Sequence, residues 1–281
     1  MLITHEKLRE INQVQTRILA AVSEVCKQLG IVFFVVHGSL LGAVRNQGFI
    51  PDDDDIDVAM LRADYERFLR EAPALLPPGL FAQDQRSDEN YPMEFAKVRD
   101  PETAYIVETA KNIQMDHGIY IDVFPIDYEY KSRLRGGLTA LRHRLMNTRI
   151  AEVFSRQKPS GARRAAGAVL RLLWPDLRKT VIKRNALYSG RREQPFLRLT
   201  GGKKTELRMP AEWFRDPVPA SFEGVDVYLP GGYDAYLTRI YGDYARRTLI
   251  EKKYADAERI EVNACVVDTE RSYRNYLPFR G

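Results

Sequence analysis

Five aspartates in six residues, Asp52-Asp53-Asp54-Asp55-Ile56-Asp57, limit what this chain can fold into more than any other feature. Left unneutralised, the five carboxylates repel one another, and burying even one unpaired carboxylate costs several kcal/mol. Either the run is a solvated loop or a divalent cation offsets its charge. The flanking sequence favours the cation. Asp55-Ile56-Asp57-Val58 alternates acid with apolar residue. In a strand that pattern points both acids to one face and Ile56 and Val58 into the core. The two carboxylates then stand roughly 7 Å apart, close enough to share metal ions. Hard oxygen ligands select Mg²⁺ or Mn²⁺ over zinc or copper.

A third acid is needed to complete such a centre, and Asp122 is the candidate. It lies within GIYIDVFPI, Gly118 to Ile126, a strand pattern in which Tyr120, Asp122 and Phe124 share one face. The alternative is that Asp122 only hydrogen-bonds backbone at a strand end. The need to compensate a buried charge favours the metal.

Gly38-Ser39 supplies a second element. It follows the apolar run Ile31 to Val36, which reads as a buried strand, and precedes LLGAVRN, which reads as a short helix. A Gly-Ser turn there exposes backbone N–H groups and a hydroxyl at a helix N-terminus, where phosphate oxygens fit. Alone, such a pair is more often simply a turn. Followed 16 and 18 residues later by Asp55 and Asp57, it becomes specific.

Elsewhere the pattern is α/β. Residues 4–29 read as one amphipathic helix with Thr4 as N-cap and Gly30 beyond its C-terminus. A helix is expected over 62–75, strands near 94–98 and after Pro101, a hairpin-like segment over 223–230 and a helix over 233–241. These place an α/β catalytic part in residues 1–130 and a helical region in 131–281.

Composition bounds the rest. The 281 residues, 44% hydrophobic and 29% charged, suit a soluble globular protein with one large or two small domains. No apolar run is long enough to span a membrane, no signal peptide is read at the N-terminus, and Cys26 and Cys265 read as buried free thiols. A cytoplasmic protein is expected. The net charge is +5, yet Lys131 to Arg192 holds 17 Lys and Arg against Glu152 and Asp176, a local +15. The block suggests an anionic partner, or solvated helices with basic outer faces. Ser160-Gly161 is expected to be a loop within it. Its apolar stretch Ala166 to Trp174, beside Arg163, Arg164 and Arg171, reads first as a core-facing helix. The alternative is contact with the inner face of a membrane.

The string HGSLLGAVRNQGFIPDDDDIDVAMLRADYERFL (His37 to Leu69) resembles the LicD family of the nucleotidyltransferase superfamily. FAKVRDPETAY (Phe95 to Tyr105), GIYIDVFPIDY (Gly118 to Tyr128) and LPGGYDAYLTRIYGDY (Leu229 to Tyr244) are similar to it as well. The resemblance implies a mixed sheet flanked by helices, as in DNA polymerase β. It implies transfer of a phosphate-bearing group from a nucleotide-diphosphate donor, CDP-linked by expectation, to a glycan hydroxyl, the glycan being free or lipid-linked. By position, Asp55, Asp57 and Asp122 match the family's metal carboxylates and Asp53 a nearby acid. Lys97 and Arg99 match basic positions assigned to donor phosphates. Arg45 bridges acids or touches a phosphate. Two departures bear on substrate preference: Asp52 stands where tryptophan is common, and Ala245 follows YGDY where proline is usual. Two rival readings are a nucleotidyltransferase acting on RNA or a small molecule, and a non-catalytic nucleotide- or metal-binding module. No RNA-binding motif is recognisable, which disfavours nucleic acid.

Overall fold

The computed structural model describes residues 1–152, 162–190, 193–202, 206, 208–246 and 258–276, with backbone alone for 162–164. β1 (Leu2–Thr4) leads into α1 (His5–Leu29), whose first turn is capped by the Thr4 hydroxyl and whose end turns on Gly30 at φ +62°. Leu8, Ile11, Val14, Ile18, Leu19, Val22 and Val25 recur at three and four and are all buried. This stripe lays α1 across the central sheet. β2 (Phe33–Val35), α2 (His37–Asn46), β3 (Asp57–Leu61) and α3 (Arg62–Glu71) follow. The helix expected over 62–75 ends at Glu71 and gives way to a short 3-10 turn carrying Pro73, because proline cannot donate to the turn before it. Next come β4 (Phe81–Gln83), β5 (Ala96–Asp100), β6 (Ala104–Ile106) and β7 (Ile119–Tyr128).

The second half begins with three helices, α4 (Arg133–Ala151), α5 (Ala162–Leu173) and α6 (Leu177–Asn185). Then come β8 (Phe196–Leu199), β9 (Met209–Pro210), β10 (Val218–Phe222), β11 (Val225–Leu229), α7 (Tyr233–Tyr241), β12 (Arg259–Glu261) and β13 (Val266–Asp268). The helices expected in the second half are present over 133–185 and 233–241, while β8 to β13 add strands that the expected helical region does not include. Ser160-Gly161 lies outside the described residues.

Nine strands among the described residues make one mixed sheet: seven are ordered β10-β11-β2-β3-β7-β5-β4, and β8, joined to β9, pairs with β7 off that path. β3 and β7 run parallel, and β2 and β5 flank them antiparallel. The ten-residue β7 is long enough to pair β5 along its first half and β8 along its end. Its residues 119–127 are buried throughout, as a strand with a sheet neighbour on each side should be. The β10–β11 hairpin turns on Glu223 and Gly224, both at positive φ, the backbone a two-residue hairpin loop requires.

Two burial expectations are corrected. Cys265 is only half-buried, although Cys26 is buried. The apolar stretch of α5 is not core-facing throughout: Gly167 and Leu170 are buried, while Val169, Leu172 and Leu173 are exposed. The physical reason is supply of surface. α5 packs on the end of α4, and one neighbouring helix can cover only one side of a helix that is apolar around most of its girth.

Candidate functional site

Asp57 opens β3 and Asp122 lies within β7, and the parallel register makes them direct Cα partners. The Asp122 N–H donates to the Ile56 carbonyl at 2.8 Å, carrying the pairing one residue upstream and fixing Asp55 beside them. One carboxylate oxygen from each of Asp55, Asp57 and Asp122 lies within 4.8 Å of the others. The strand expected over 55–58 begins at Asp57 instead, so Asp55 reaches the cluster from the approach loop. Asp57 and Asp122 are buried and Asp55 is half-buried.

Crowding shows in the acidities. Burial, then the charges of Asp57, Asp53 and Asp122, push Asp55 well above the usual carboxylate range. Burial also raises Asp122 to about 6, against the pull of the Lys97 ammonium. Three converging carboxylates, with Asp55 and Asp122 resisting ionisation, form a hard-oxygen donor set of the kind a divalent cation completes. The residues present fit Mg²⁺ or Mn²⁺.

α2 braces this cluster from the neighbouring strand. It starts at His37, so Gly38 and Ser39 form its first turn rather than a separate loop before it. Ser39 is fully buried, and its hydroxyl accepts the Asp57 N–H at 2.9 Å. The hydroxyl expected to meet phosphate therefore holds the backbone of Asp57 in place. Gly38 is required sterically: a Cβ there would stand 2.8 Å from Asp53 Oδ2.

His37, just before Gly38-Ser39, holds a bracing position in the site. Its backbone sits at φ +52°, a strained conformation costing on the order of 1–3 kcal/mol for a non-glycine residue. The strain aims the imidazole between two acids. Nδ1 is 3.1 Å from Asp57 Oδ2, and Nε2 is 2.6 Å from Glu206 Oε1. Burial alone would lower its pKa, but the two acids override that and raise it to about 10. Glu206 is itself fully buried and accepts the Tyr236 hydroxyl proton. The chain Asp57–His37–Glu206–Tyr236 thus ties β3 to α7. Glu206 lies 149 positions beyond Asp57 with no motif around it, so no sequence signal pointed to it.

The remaining candidates divide. Lys97 pairs with Asp122 and lies 3.3 Å from the centre of the Tyr120 ring. Arg99 is buried; its guanidinium donates to Gln83 Oε1 and, at 2.6 Å, to the Gly118 carbonyl. It anchors β5 and β4 to the entry of β7. Asp53 stands against Gly38, outside the trio whose oxygens converge. Asp54 accepts the Tyr105 hydroxyl, and its carbonyl accepts Gln15 Nε2 at 2.7 Å. The acidic run is therefore a half-buried, tethered loop rather than a solvated one. Arg45 lies in the last turn of α2, about 9 Å along the axis from Ser39. At the far end of the same strands Arg62 clamps the buried Asp127 with Nε–Oδ1 at 2.8 Å and Nη2–Oδ2 at 2.6 Å.

Residues 30–145 match the family model described as LicD/FKTN/FKRP, nucleotidyltransferase domain. Over 256 residues, 85% of this chain and 91% of the relative, the chain is 28% identical to the lipopolysaccharide cholinephosphotransferase LicD of Haemophilus influenzae. A stretch of 50 residues, 18% of this chain and 16% of the relative, is 40% identical to an uncharacterized protein of Rickettsia typhi. The span matched by the family model contains Gly38-Ser39, Lys97 and all three converging aspartates. The carboxylate centre is built on the segments that carry the match, and the chain is similar to the LicD family there and to one LicD relative along most of both chains.

Proposed function

We propose that this chain is a divalent-cation-dependent phosphotransferase. It moves a phosphate-linked group, phosphocholine first among the candidates and a polyol phosphate next, from a CDP-linked donor to a glycan hydroxyl such as one of lipopolysaccharide. The observation that carries this reading is the convergence of Asp55, Asp57 and Asp122 oxygens within 4.8 Å. The full-length relative that transfers phosphocholine to lipopolysaccharide supplies the substrate class.

Asp55, Asp57 and Asp122 would hold Mg²⁺ or Mn²⁺, which when bound neutralises a donor diphosphate and stabilises charge on the departing nucleotide. The protein's own groups do the rest. His37 and the Ser39 hydroxyl hold Asp57 from its side chain and its backbone. Lys97 engages Asp122 Oδ1, which orients the carboxylate and leaves Oδ2 as the oxygen it turns to the cation. Phe124, stacked edge-on to His37 at 5.0 Å, forms an apolar wall that limits water. Residues 1–130 supply this chemistry and residues 131–281 complete the domain. A nucleotide-activated donor places the reaction on the cytoplasmic side.

A donor screen read by mass spectrometry tests the proposal, using Mg²⁺, a glycan acceptor and CDP- and UDP-linked compounds. Metal-dependent release of CMP from CDP-choline, with phosphocholine gained by the acceptor and both lost in Asp55→Asn, supports it. Incorporation of nucleotide into RNA, or an unchanged rate in Asp55→Asn, overturns it.

A further inference from the structure

α4 presents an apolar stripe to solvent that the catalytic reading leaves unused. Its inner face is settled by contacts. Met146 and Ile150 are buried, and His143 Nε2 and Asn147 Nδ2 reach the Glu94 carboxylate at 3.0 and 2.8 Å. At about 100° per residue, Leu134, Leu138, Leu141 and Leu145 fall on the opposite side of the helix. They are 75%, 62%, 55% and 37% exposed. Isolated surface leucines are ordinary, but four in one line are not.

Arginines border this stripe on both edges. Arg133 and Arg144 lie along one side and Arg135 and Arg142 along the other, all four exposed. α4 contains no acid at all. The adjoining α5 adds exposed Val169, Leu172 and Leu173. No helix among the described residues is long and apolar enough to cross a membrane.

The leucine spacing of four, three and four also suits packing against a second helix. Charge decides between the two. Pairing two copies through this stripe would bring arginine against arginine with no acid on either helix to relieve it. An anionic bilayer gives the opposite outcome: leucines enter the acyl boundary while arginines extend their guanidinium groups to lipid phosphates. We infer that α4, with the exposed end of α5, docks the protein on the surface of an anionic lipid bilayer, lying in its interface. The inference does not depend on which group the enzyme transfers.

Vesicle sedimentation of the full chain tests it. At about 0.1 M salt, where screening extends about 10 Å, the protein is expected to pellet with phosphatidylglycerol-containing vesicles. It should stay in solution with pure phosphatidylcholine. Leu138→Ser with Leu141→Ser, and separately Arg142→Glu with Arg144→Glu, should each cut the bound fraction at least about tenfold with an unchanged melting temperature. Because these side chains face solvent, the variants fold. Absence of wild-type pelleting, or pelleting of either variant equal to that of the wild type, overturns the inference. So does light scattering that shows a dimer dissolved by Leu138→Arg.

Discussion

Asp57 and Asp122 face one another across parallel strands β3 and β7, two buried carboxylates in register on one side of the sheet. Asp55 joins them with only acids among the charges that raise it, whereas Asp122 has Lys97. Two members of the trio should therefore respond to neutralisation with opposite signs. In chelator, Asp55→Asn removes repulsion and should stabilise the fold by about 1 kcal/mol. Asp122→Asn strands a buried ammonium and should destabilise it by about 3–5 kcal/mol. Urea denaturation in chelator measures both. Transferase activity should fall by at least about 10²–10³-fold in each.

Ser39→Ala separates two roles for one hydroxyl. The hydroxyl accepts the Asp57 N–H, so its removal leaves a buried donor unsatisfied and should cost about 1–3 kcal/mol with no ligand present. A side chain that served only to bind phosphate would leave the ligand-free protein's stability unchanged.

The buried chain through Glu206 makes a further demand. Glu206→Ala removes one of the two acids that hold His37 and leaves it with Asp57, and should lower stability by about 1–3 kcal/mol. It should also reduce activity, because Asp57 loses the restraint on its imidazole partner. Calorimetry with a parallel rate assay checks both; a variant as stable as wild type would show that His37 is held by other means.

Acid sensitivity should come from Glu94, which docks α4 and α6 onto the catalytic lobe. Burial pushes its pKa up, but the His143 hydrogen bond and the Arg184 charge prevail and hold it at about 2. Its folded pKa lies below its ordinary value of 4.5. Its contribution is therefore complete above that value and is lost as pH falls toward 2. Glu94→Gln should flatten that part of the stability profile, measured as urea midpoints between pH 5 and pH 2.5 (about the window in which linkage acts).

Much of this site is legible in the sequence because local pattern and chemistry agree there. Asp55-Ile56-Asp57-Val58 shows the alternation, and GIYIDVFPI shows a strand that buries an acid, so their pairing follows from charge compensation alone. α1, with Thr4 and Gly30 at its ends, and α7 over Tyr233–Tyr241 are read correctly for the same reason. What escapes is long-range or sterically specific. Glu206 is brought to His37 by tertiary packing. Ser39 turns inward because α2 starts three residues earlier than its pattern suggests. Arg99 carries a phosphate-binding residue type, but β4 and the entry to β7 occupy its donors. The hairpin-like segment read over 223–230 catches the end of β10–β11, but β8 and β9 go unread because they are short and only β7 gives them a place in the sheet.

Calorimetric titration of Mn²⁺ into the wild-type chain and into Asp55→Asn measures the central claim most directly. The trio predicts saturable binding to the wild type that falls at least about tenfold in the variant, a loss of about 1.4 kcal/mol. Equal affinity in the two proteins would contradict it.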